Sequence, residues 1–180
     1  MKRTLLHGMS SHAYNELIRL NSFENVLDTT WNCSNGSYLY AYDVDDFIKG
    51  EDCEKDLVIN RCFESAAIGS AKFNQIDNKL YVVELEIDAD EVDILEDTSC
   101  ENMSYAFEID RDEITTANIV NVYVSEDYES SLKLFYLSGL LKNEYFDIDL
   151  SDKEIRAIEN IGYFEELFDF EFKTIDFNNL

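Results

Sequence analysis

The chain has 180 residues, 39 of them acidic and 14 basic, for a formal net charge of −25 at pH 7. Apolar residues make up 46% and aromatics 13%, which suits one domain with its own core and not a disordered chain. Phosphate neutralisation needs Lys and Arg, so direct nucleic-acid binding and docking on anionic membranes are not expected, whereas a basic protein surface is the favoured partner.

The N-terminal MKRTLLHG holds only the apolar pair Leu5-Leu6, too little for the h-region of an export signal. No stretch approaches the roughly 20 apolar residues of a membrane helix. The cysteines Cys33, Cys53, Cys62 and Cys100 form no C-x-x-C pair, so four reduced thiols in a cytoplasmic protein are expected.

In chain order, Thr4–His7 reads as a short strand. Ser10 or Ser11 can cap a helix over His12–Leu20, because a hydroxyl accepts from the free N–H groups of a first turn. Its apolar face is Tyr14, Leu17 and Ile18. Thr29–Cys33 reads as extended, and Asn35-Gly36 signals a turn. SYLYAYD, Ser37–Asp43, is a strand end leading into a helix or loop. Lys55–Phe73 is a helix with Leu57, Ile59, Cys62, Phe63, Ala66 and Phe73 on one side and a small-residue run, SAAIGSA.

Leu80–Ile87 reads as a strand with Tyr81, Val83, Leu85 and Ile87 on one face. Tyr105–Ile109 and Asn118–Ser125 are two more strands. Helices are expected over Glu129–Lys142 and Ser151–Ile161, the second opened by the capping box Ser151…Glu154. The tail GYFEELFDFEFKTIDF is acidic, aromatic and ambiguous. Strands grouped in this way predict an α+β domain spanning 1–180, with a core over 1–125 and a helical extension over 126–180.

No phosphate-loop glycine pattern, zinc-protease helix or nucleophile elbow occurs. The clusters DVDDF (43–47) and DADEVD (88–93) lack the central Gly and final Glu of a calcium loop, so no metal is expected. Cys62 lies on the apolar side of its helix, the place of a structural thiol.

What remains is a spaced set: His7-Gly8 at a strand end, Ser37-Tyr38 after the Gly36 turn, a small-residue helix, and Glu101 ahead of a strand. Singly, each has a plain explanation as a turn histidine, a half-buried strand tyrosine and a solvated acid. Together, over residues 4–125, the order resembles the ADP-ribosyltransferase superfamily, in particular its His-Tyr-Glu branch. The resemblance implies a split antiparallel or mixed sheet flanked by helices, with NAD as cosubstrate. It implies that His7 holds the nicotinamide ribose, that Gly8 backbone bonds the carboxamide, that Tyr38 stacks on the nicotinamide ring with Ser37 also in the cofactor site, and that Glu101 bonds the ribose 2′-hydroxyl and steadies charge at C1′. Aligned to the family's strand, Ser104 stands where the glutamate belongs, and Glu101 lies three residues earlier.

Two function classes follow. One is a mono-ADP-ribosyltransferase acting on a protein or nucleobase acceptor. The other is a strongly acidic binding protein, a nucleic-acid mimic of the kind phages use against host defence, built on a catalytically inactive fold.

Overall fold

A computed structural model describes residues 1–23, 38–70, 77–96, 106–137, 152, 156 and 169–177. In chain order the elements are β1 (Lys2–Ser10), α1 (Ser11–Leu20), β2 (Tyr38–Asp43), α2 (Val44–Glu51), α3 (Lys55–Ser70), β3 (Leu80–Asp88), β4 (Ile94–Glu96), β5 (Ala106–Asp110), β6 (Ile119–Ser125), α4 (Tyr128–Leu137) and β7 (Phe172–Asp176). The fold is α+β. The seven strands among the described residues form one sheet in the order β4-β5-β2-β1-β3-β6-β7, antiparallel at every step.

Strand pleating turns successive side chains to opposite faces, and here both faces are covered. Leu5 and Met9 of β1 join Tyr81, Val83, Leu85 and Ile87 of β3 under α1, which contributes Ala13, Tyr14 and Leu17. Leu6 of β1 joins Leu80 and Val82 of β3 under α3, which contributes Val58, Ile59, Cys62, Phe63, Ala66 and Ala67. Each fully buried Leu or Phe contributes about 1.5–3 kcal/mol, and this burial opposes the self-repulsion of the charged surface.

The helix caps follow local chemistry. Ser10 Oγ accepts from the Ala13 amide and opens α1, while Asp43 accepts from the Asp46 amide and opens α2. Asn21 closes α1 in the left-handed region, at φ 54°.

Several expectations need correction. Ile18 is 45% exposed instead of joining the α1 core face. The strand expected over Thr4–His7 runs from Lys2 to Ser10, because β3 pairs with it over nine positions. The C-terminal part is not wholly helical: Phe172–Asp176 forms β7 and pairs with β6 from Asn121 to Ser125. β4 was not expected either. The extended stretch Thr29–Cys33, the Asn35-Gly36 turn and most of the helix expected over Ser151–Ile161 lie outside the described residues.

Candidate functional site

Strands β5, β2 and β1 lie side by side, and three of the expected site residues, His7, Gly8 and Tyr38, belong to them. β2 and β5 pair over five positions, from Tyr38↔Asp110 to Tyr42↔Ala106. β1 and β2 pair over only two, Leu5↔Asp43 and Leu6↔Tyr42. The seven strands are thus two well-paired groups joined by a short ladder, and the seam between them opens just before His7.

At that seam a side chain takes over the cross-link. His7 Nδ1 lies 2.6 Å from the Tyr40 carbonyl oxygen. A carbonyl only accepts, so Nδ1 is the donor, which fixes the tautomer of the neutral ring. His7 is buried, at 7% exposure, and shares the strand parity of Leu5 and Met9.

Gly8 has the opposite parity and meets α3. A Cβ on Gly8 would stand 2.0 Å from the Cys62 carbonyl oxygen and 3.3 Å from the Ala66 Cβ. The missing side chain lets a helix backbone sit directly on the strand. Ala66 of the SAAIGSA run meets the same position with a small side chain.

Tyr38 is the first residue of β2, level with Asp110. β5 begins at Ala106, level with Tyr42. Ser37 and Glu101 themselves lie outside the described residues. The structure therefore brings His7 to the backbone of β2 and Gly8 to the backbone of α3.

Described cations around the seam are already engaged. Arg3 Nη1 lies 3.1 Å from Asp43 and 3.5 Å from Asp46, with its guanidinium 5.1 Å from the centre of the Phe107 ring. Arg61 is 2.8 Å from Glu64, one helix turn away.

A second polar cluster escaped the sequence reading. Glu84 of β3 is buried on the α3 face, level with Leu6 of β1 and close to Gly8 along the sheet. Its carboxylate accepts from Lys55 Nζ at 2.8 and 2.9 Å, from Asn121 Nδ2 at 3.0 Å and from the Tyr123 hydroxyl. The Lys55 ammonium also lies 5.6 Å from the centre of the Tyr123 ring. Burial alone pushes the Glu84 carboxyl up, but the bonds from Lys55, Tyr123 and Asn121 outweigh it and hold the group below the usual carboxylate range. Burial likewise pulls Lys55 down, and Glu84 and Tyr123 together more than restore it. Burial and the Glu84 carboxylate push the Tyr123 phenol up. β6 bulges beside this group, with the register shifting between Glu84 and Leu85. A glutamate alternating with Leu80 and Val82 was the available signal.

An open groove of about 500 Å³ lies between the β6–α4 turn and β7; its lining includes the carboxylates of Glu126, Asp127, Glu129 and Glu171 and one cation, Lys173. Asp127 also caps α4, accepting from the Ser130 amide at 3.0 Å and its hydroxyl at 2.7 Å. Among the described residues no group of three or more His, Cys, Asp or Glu side chains is arranged to hold a metal. Burial drives the Cys62 thiol well above its ordinary value, helped by Glu64, as suits a packed and unreactive side chain. No described helix is long and apolar enough to cross a membrane.

No family model, curated protein or solved structure matches this chain.

Proposed function

We propose that the seam between β1 and β2 receives NAD and that the protein is an ADP-ribosyltransferase acting on a protein or nucleobase acceptor. One observation carries this reading. The β1–β2 ladder stops at Leu6↔Tyr42, and the next residue, His7, is buried at the gap with its imidazole turned to β2. A buried imidazole of fixed tautomer at a strand seam is a preorganised polar group, of the kind that positions a ribose hydroxyl.

In the reaction the bond between C1′ and the nicotinamide nitrogen breaks, and its electron pair leaves with nicotinamide. The acceptor's nucleophile bonds to C1′ and releases its proton. Glu101 supplies negative charge beside the developing cation at C1′, the kind of electrostatic contribution that usually dominates. Tyr38 stacks on the nicotinamide ring, and the Gly8 backbone bonds its carboxamide. The test is release of labelled nicotinamide from NAD in the presence of basic acceptor proteins. Turnover that disappears in both His7→Ala and Glu101→Gln, with the fold retained, supports the reading. Turnover that survives in both ends it.

A second reading is favoured by the acidic groove and the charge of −25: the protein occupies a basic surface by presenting carboxylates in place of phosphates. Binding would then weaken steeply with salt and be lost on charge reversal at Asp45 and Asp46 or in the C-terminal tail, while His7→Ala would leave it unchanged.

A further inference from the structure

Glu84, buried, and Lys55, half-buried, form an ion pair that the proposed reaction does not use, yet the pair sits beside the seam. Leu6, Gly8, Val82 and Glu84 share one face of the β1–β3 pair, with Leu6 level with Glu84 and Gly8 level with Val82. On α3, Lys55, Ile59, Cys62 and Ala66 follow at helical spacing and form one stripe. Lys55 at the start of that stripe binds Glu84, and Cys62 two turns later stands over Gly8. Ile59 lies between them, buried at 1% exposure. The height of α3 above β1 is thus set at two points on one stripe, an ion pair at one end and a side-chain-free strand position at the other. Gly8 is joined covalently to His7, whose ring bridges to Tyr40.

We infer that Glu84, through Lys55 and α3, is a positioning residue for the His7–Gly8 segment at the β1–β2 seam. The ion pair draws α3 down, α3 presses on Gly8, and Gly8 fixes where the His7 ring meets β2. The link to ADP-ribosyl transfer rests on the seam reading, whereas the mechanical coupling does not.

The experiment follows the His7 Nδ1–H and Gly8 amide signals by NMR in Lys55→Met, Lys55→Arg and Glu84→Gln. A matched control, Ile175→Val, alters a half-buried contact on β7, away from the stripe. Lys55→Met is expected to shift both signals and to speed exchange of the His7 proton about tenfold, by local opening. Lys55→Arg restores the wild-type signals, and Ile175→Val moves neither. Unchanged His7 and Gly8 signals in Lys55→Met overturn the inference. Should that variant not fold, Glu84→Gln is read in the same way, since it keeps the shape and removes the charge. Nicotinamide release on the same samples separates the two claims. With activity present, Lys55→Met lowers kcat more than it raises KM. A wild-type protein that releases no nicotinamide contradicts the seam chemistry while the coupling is still decided by the NMR signals.

Discussion

The Gly8 α-carbon and the Cys62 carbonyl approach so closely that a single added methyl group would stand 2.0 Å from the oxygen. The obstacle is helix backbone, which cannot swing aside as a flexible side chain would. Gly8→Ala is therefore expected to destabilise the fold by about 3 kcal/mol, at the upper end of overpacking costs. Urea unfolding with an unchanged slope and a lowered midpoint is the readout. A change under about 1 kcal/mol would show that α3 is not seated as described.

The Lys55–Glu84 pair makes a prediction in two parts. Removing one partner leaves a buried charge, so Lys55→Met is expected to cost about 2–4 kcal/mol, moderated because the ammonium reaches partly to solvent. The double variant Lys55→Met/Glu84→Gln should regain much of that loss, because no charge is stranded. A double-mutant cycle with no coupling would remove the pair from the account.

Acid titration tests the same group. The Glu84 carboxyl is held below its ordinary value in the folded chain. Its contribution is therefore complete above the unfolded glutamate value of about 4.3, and is lost as pH falls from there through the lowered folded value. Glu84→Gln should flatten the fall in stability over that acid window and leave the curve near neutrality parallel to wild type. Lys55, raised in the folded state, contributes below its unfolded value of about 10.4 and loses that contribution as pH rises through the folded one.

Ser10 offers a local test. Its hydroxyl accepts from the Ala13 amide at 3.2 Å and opens α1. Ser10→Ala should cost about 1 kcal/mol. Hydrogen exchange confined to the first turn of α1 would locate the effect.

Much of this fold was legible because side-chain period alone decided it. Tyr81, Val83, Leu85 and Ile87 alternate and share one core, and the Ser10 hydroxyl announces α1. Glu84 was not legible in the same way. A single-faced reading of LYVVELEI leaves every even position to solvent, whereas α3 covers that face and Lys55, distant in sequence, neutralises the acid. β7 was hidden because FEFKTID follows an acidic, aromatic run, and only pairing with β6 makes it a strand. At the candidate site, His7 and Gly8 were singled out from the sequence. That they face opposite sides of the sheet follows from strand pleating, but that helix backbone fills the Gly8 side is a tertiary fact.

On the proposed reading, NAD enters the seam at His7. Its most direct test is a titration of the protein with NAD, followed by the His7 Nδ1–H, Gly8 and Tyr40 signals, with Thr174 on β7 as the distant reference. Saturable shifts at the first three with Thr174 unmoved are the expected result. Saturating NAD that leaves His7, Gly8 and Tyr40 unshifted would contradict the account.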